Sequence, residues 1–202
     1  MIVFGDSLSD DGVEAVGESH GFMRNSNGKV WPEYVEQMLQ CDLTGGVIDF
    51  FAGEKDATNV VANIEACIES ITQAMSSGTL LVLSVLDLGT SPGVRAAEDS
   101  TELQQRLGEL VSETNRHLAR IVFDSEKGAR RLYPKLRIRL LDINPLVLEA
   151  MNSLNITEPF TYHSPEIGPR SVYSYAYYDL WNPSTVVHNT LAEEIVKHLQ
   201  NF

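Results

Sequence analysis

The sequence predicts an α/β protein, a three-layer α/β/α sandwich around a parallel sheet. Two observations carry this. Strand-like apolar runs and helix-period runs alternate along the 202 residues. The strongest strand run, Leu80-Leu81-Val82-Leu83, is apolar without alternation. A strand covered on both faces, as in a parallel sheet, reads this way.

The elements follow in order. Residues 1–5 read as a buried strand. Trp31, Tyr34, Val35, Met38 and Leu39 fall at helical spacing, predicting a helix over 31–39. The Gly45-Gly46 pair reads as a turn, followed by a short strand over 47–51. Val61, Ile64, Ile68 and Ile71 form a helical stripe within 58–75, stopped by Ser76-Ser77-Gly78. A strand covers 79–86. A long helix runs from Ser100 to about Phe123, with Leu103, Leu107, Leu110, Val111, Leu118 and Ile121 inward. Ser100 and the acids near it suit a helix start. Residues 136–143 form another strand, and Pro145 opens a helical stretch through Leu154. A tyrosine-rich loop spans 158–178, and a closing helix covers 185–199. No repeat or linker divides the chain, so one domain over 1–202 is expected.

Composition narrows the partners. The chain has 15 basic and 28 acidic residues, a net charge of −13, and no basic stripe for nucleic acid or an anionic membrane. No run reaches the ~18 apolar residues of a membrane span. No signal peptide is read before the first strand, which predicts a cytoplasmic protein, or a secreted one whose leader has been removed. Cys41 and Cys67 do not make a disulfide framework; a single bridge between them stays open, and Cys67 reads as a small buried residue. The sequence has no Cys-x-x-Cys, no His-x-x-x-His and no dinucleotide or phosphate-loop fingerprint. No metal or cofactor is expected. Asp6, Asp10 and Asp11 crowd together near Ser7 in the sequence, but a calcium site is not expected there.

Ser7, Gly53 and Asp87 all fall just past predicted strands, where parallel sheets place their ligand crevice. Ser7 lies in Phe4-Gly5-Asp6-Ser7-Leu8-Ser9-Asp10. A Gly-Asp-Ser triplet alone reads as a turn or capping serine. The longer stretch resembles the signature block of the GDSL esterases and lipases, also called SGNH hydrolases, a flavodoxin-like fold. That resemblance implies that Asp6 and Asp10 are scaffold residues of the loop. Arg24-Asn25-Ser26-Asn27-Gly28-Lys29-Val30-Trp31-Pro32-Glu33-Tyr34 is similar to a second stretch common in that family, with Asn25 where Phe is usual. Leu132-Tyr133-Pro134 through Asp142 resembles the strand before the family's last third.

The resemblance implies four chemical roles. Ser7 takes the nucleophile's place, with its own backbone N–H among the oxyanion donors. Gly53, in Ala52-Gly53-Glu54, stands for the glycine that also supplies an oxyanion N–H. The family's third block carries an oxyanion asparagine, and here that position holds Leu86 in Leu86-Asp87. Losing one such donor costs about 10²–10³ in rate. The fourth block carries the orienting acid and the base histidine. Here it reads Asp179-Leu180-Trp181-Asn182-Pro183-Ser184-Thr185, with Asn182 at the base position. An amide cannot take the serine proton. His188, His163 and His20 are the candidates to replace the base; His188 also reads as a structural residue of the closing helix. His117 and His198 read as surface residues.

Three functions stay open on this reading. The first is an ester hydrolase acting through Ser7 on a small or acyl ester. The second is a repurposed enzyme that performs cyclisation, elimination or acyl transfer in the same pocket. The third is a pseudoenzyme that binds a small ligand or a protein partner.

Overall fold

The computed structural model describes residues 2–3, 13–14, 22–23, 26, 28–39, 44–45, 57–162 and 172–201. The protein is α/β, with helices more extensive than strands. It divides into two compact units, one of residues 1–49, 88–104 and 145–202, the other of 50–87 and 105–144.

The second unit holds α2 (Ala57–Ala74), β5 (Ser77–Leu83), most of α4 (Ser100–Leu132) and β6 (Lys135–Leu141). β5 and β6 pair in parallel from Ser77↔Lys135 to Leu83↔Leu141. Their connection carries α4, as a parallel pair requires a long crossover. Gly78 opens the strand at φ 106°, a left-handed conformation that favours glycine. Ile68, Leu118, Val122 and Ile138 form the buried core, with Ile64, Leu80, Val82, Ile121, Ala129 and Leu140 packed against it. Cys67 carries a free, half-buried thiol on α2.

Several boundaries differ from the sequence expectation. β5 is half-buried rather than covered on both faces, and among the described residues it pairs with β6 alone. It ends at Leu83, not at 86, because beyond the Ser84 N–H, which still reaches β6, side chains of Asn115 and Asn144 rather than a neighbouring strand take the N–H groups of Val85 and Asp87. Helix α4 runs to Leu132, nine residues past Phe123. Its inward stripe continues through Val122 to Glu126, a charged residue that hid the continuation. Leu110 is 39% exposed. It is turned by about 80° around the helix from Leu118, off the buried stripe.

The first unit holds β1 (Ile2–Val3) paired in parallel with β4 (Thr44–Gly45), and β2 (Val13–Glu14) antiparallel to β3 (Phe22–Met23). The predicted turn at Gly45 is therefore partly strand: ladder bonds use only the backbone, and a glycine can make them. The strand expected over 47–51 lies outside the described residues. Helix α1 (Trp31–Leu39) matches its predicted span and packs on α6 (Thr185–Gln200). Val30, Trp31 and Val35 are buried here, as are Val187, Leu191 and Ile195 of α6 at four-residue spacing. Met38, expected on the inward stripe, is 37% exposed in the last turn of α1. A short helix α3 (Pro92–Arg95) is capped by Ser91, whose Oγ accepts the Val94 N–H, with Pro92 at its first position. Helix α5 (Asn144–Met151) buries Val147 and Met151.

Candidate active site

Two motif-like stretches of the first unit, around residues 28–34 and 185–188, dock on each other. Thr185 opens α6, and its Oγ1 donates to the Lys29 carbonyl at 2.8 Å. The same oxygen lies 2.7 Å from the Tyr34 hydroxyl. With its own proton committed to Lys29, Thr185 accepts from Tyr34. A Cβ on Gly28 would lie 2.7 Å from Thr185 Oγ1, so the close approach requires glycine there. Glu33 Oε2 accepts the Val30 N–H at 2.9 Å, the reach-back half of a capping box. The next orphan donor of the helix, the Trp31 N–H, goes to His188 Nδ1 at 3.3 Å.

This bond defines His188. It is 1% exposed, and burial pushes its pKa down from 6.5 to about 4. Accepting at Nδ1 fixes the neutral tautomer with its proton on Nε2. The ring is a helix cap between α1 and α6. Its Nδ1 lone pair is spent, which fits the structural reading of His188 rather than the part of a base.

Just before α6, residues 175–184 form a tight loop. Ser184 Oγ donates to the Tyr175 carbonyl at 2.7 Å, and the Ser184 N–H goes to the Ala176 carbonyl. The Tyr178 N–H donates to the Asn182 carbonyl at 2.8 Å, closing a turn. Inside that turn the Asp179 carboxylate collects donors. Oδ1 accepts the Trp181 N–H at 2.8 Å and the Asn182 N–H at 2.7 Å. Asn182 Nδ2 donates to both carboxylate oxygens, at 3.1 and 2.9 Å. Asp–x–x–Asn spacing makes this possible, since aspartate binds backbone N–H groups two and three residues on.

The turn is also anchored to α3. The Leu180 carbonyl accepts the Gly93 N–H at 2.9 Å. Trp181 lies over Gly93 so closely that a Cβ there would meet its ring at 2.6 Å. Trp181 is nonetheless 44% exposed. Asp179 and Asn182 are thus a rigid, neutral-amide-to-carboxylate pair beside an exposed aromatic ring. The pair can orient and donate hydrogen bonds, and its amide carries no basic nitrogen.

In the second unit, Leu86 follows β5 in a segment braced by two asparagines. The Asn115 side chain pairs both groups of Val85, accepting its N–H at 2.7 Å and donating to its carbonyl at 2.9 Å. Asn144 Oδ1 accepts the Asp87 N–H at 2.7 Å, and its Nδ2 donates to the Val85 carbonyl at 3.0 Å. Ser84 Oγ donates to Asp142 Oδ1 at 2.9 Å and accepts the Ile143 N–H at 3.0 Å. Burial raises the Asp142 pKa, but hydrogen bonds from Ser84 and Asn144 outweigh it and hold the carboxyl below its usual value. The strand end is therefore well ordered around a side chain, Leu86, that offers no donor.

Of the residues singled out in sequence, Asp179 and Asn182 are brought together, and Leu86 lies in the other unit. Ser7, Gly53, His20 and His163 lie outside the described residues. Asn115, Asn144 and Thr185 were not singled out. The signal for the first two was weak: an asparagine one turn before the buried Leu118, and an asparagine directly after a strand. Among the described residues no group of three or more His, Cys, Asp or Glu side chains is placed to hold a metal ion, and no helix is long and apolar enough to cross a membrane. In comparisons with known proteins, no family model matches the chain and no curated protein matches it significantly.

Proposed function

We propose that the chain is a GDSL/SGNH-type protein that receives a small acyl-ester ligand at the Ser7 loop and lacks the imidazole base that drives hydrolysis in that family. The observation that carries the reading is the Asn182 side-chain amide, bonded to both oxygens of Asp179. That is the arrangement an Asp–His pair would have, with the basic ring replaced by an amide. Leu86 at the oxyanion-asparagine position agrees with it. The three-layer sandwich and the single domain over 1–202 belong to the same proposal, supported by the parallel pairs β1/β4 and β5/β6.

Hydrolysis by this site then proceeds without its ordinary proton acceptor. In a serine protease, loss of the base alone costs on the order of 10⁶ in kcat. The test is incubation of the protein with short p-nitrophenyl esters and a fluorophosphonate probe. The reading expects Ser7 to be labelled slowly or not at all, and turnover close to the buffer rate. Turnover at a rate ordinary for enzymes, ~10 s⁻¹, would overturn it. If that turnover disappeared in His20→Ala or His163→Ala, the variant would identify the replacement base.

A further inference from the structure

Among the described residues β6 pairs with β5 alone, and most of the outward backbone groups of Leu136 and Ile138 are met by side chains. The Ser84 N–H donates to the Leu141 carbonyl at 2.9 Å, so the odd-numbered residues of β6 face β5. Strand geometry then turns the backbone groups of Leu136, Ile138 and Leu140 outward. The four groups of Leu136 and Ile138 each have a partner. The Leu136 N–H donates to the Tyr133 carbonyl at 3.0 Å. The Leu136 carbonyl accepts Arg137 Nη1 at 3.0 Å. The Ile138 N–H donates to Glu126 Oε2. The Ile138 carbonyl accepts Arg139 Nη1 at 3.4 Å.

Glu126 is the centre of this arrangement. It sits at the end of the inward stripe of α4 and is 9% exposed. A carboxylate so placed is costly unless paired. Arg130 Nε and Arg139 Nη1 lie 2.7 and 2.9 Å from its Oε1, leaving Oε2 for the strand. The pairing thus turns a buried charge into a plug for one backbone donor. An open strand edge is a template for another chain, and charged side chains on an edge are a recurrent means of blocking it.

We propose that Glu126, Arg137 and Arg139 form an edge seal that keeps β6 from pairing with β6 of a second copy of this chain. Hydrogen exchange on the unaltered protein tests the premise. The Ile138 amide should be protected like the amides that face β5, and Glu126→Ala should speed its exchange by ~10-fold or more. Exchange of Ile138 in the unaltered protein as fast as in an open strand edge would overturn the seal. Glu126→Ala should also form oligomers whose mass grows with concentration while retaining its helical circular dichroism. Glu126→Gln, which keeps an acceptor for Ile138, should stay at the mass of the unaltered protein. A folded Glu126→Ala protein with unchanged mass at on the order of 100 μM contradicts the proposal. If Glu126→Ala fails to fold, exchange in the unaltered protein and in Glu126→Gln decides: Ile138 must stay protected in both.

Discussion

Asn182 holds Asp179 by its side-chain nitrogen, at 2.9 and 3.1 Å from the two carboxylate oxygens. With two backbone N–H groups also directed at Oδ1, the aspartate is fully engaged in shaping its own turn. Asp179→Asn would set an amide nitrogen or a weaker acceptor against these donors. The expected loss is roughly 1–3 kcal/mol of stability, read from the urea midpoint. An unchanged midpoint would mean that the turn holds without its carboxylate.

His188 makes stability depend on pH. Its folded pKa, about 4, lies below its usual 6.5. Above pH 6.5 the ring is neutral in both folded and unfolded chains, and its contribution is complete. Between 6.5 and 4 the unfolded chain binds a proton that the folded one refuses, so stability falls as pH falls. The full difference is on the order of 3 kcal/mol. His188→Gln, a neutral acceptor for the Trp31 N–H, should flatten the dependence across that window. Denaturant titrations at pH 7, 5.5 and 4.5 would show it, and equal slopes for both proteins would refute it.

The contact of Trp181 with Gly93 gives an optical reporter. Gly93→Ala places a methyl carbon within 2.6 Å of the indole. The ring must move, at a cost of about 1–3 kcal/mol for overpacking. Because Trp31 is buried and Trp181 is 44% exposed, the change should appear as a red shift from Trp181 alone. Gly93→Ala in a Trp181→Phe background should show no shift. A shift that persists there would place the disturbance at Trp31.

The helices at 31–39, 57–74 and 185–200 were legible because their apolar residues recur at helical spacing. The end of α4 was not, because Glu126 occupies an inward position and only its bonds to β6 and the two arginines justify it. The end of β5 was misplaced for a related reason. Asn115 and Asn144 serve Val85 and Asp87 in place of a neighbouring strand, and their roles depend on contacts distant in sequence. At the candidate site, Asp179 and Asn182 were visible through the resemblance of 179–185 to the family's fourth block, and their contact is local because they lie three residues apart. The docking of Gly28, Trp31 and Tyr34 on Thr185 and His188 spans about 150 residues of chain, and spacing alone does not reveal it.

The central proposal is that Asn182, bonded to Asp179, stands where a base histidine would stand in a GDSL/SGNH-type protein. The most direct measurement is hydrolysis of p-nitrophenyl acetate by the unaltered protein, by Asn182→His, and by Asn182→His with Leu86→Asn. A positioned base contributes typically 10²–10⁴-fold, so Asn182→His should raise turnover by at least about 10²-fold, and the added asparagine by a further ~10-fold or more. A rise in the folded variants, lost again in Ser7→Ala, is the predicted result. Folded variants no faster than an inactive parent, or a parent already as fast as they are, would contradict the account.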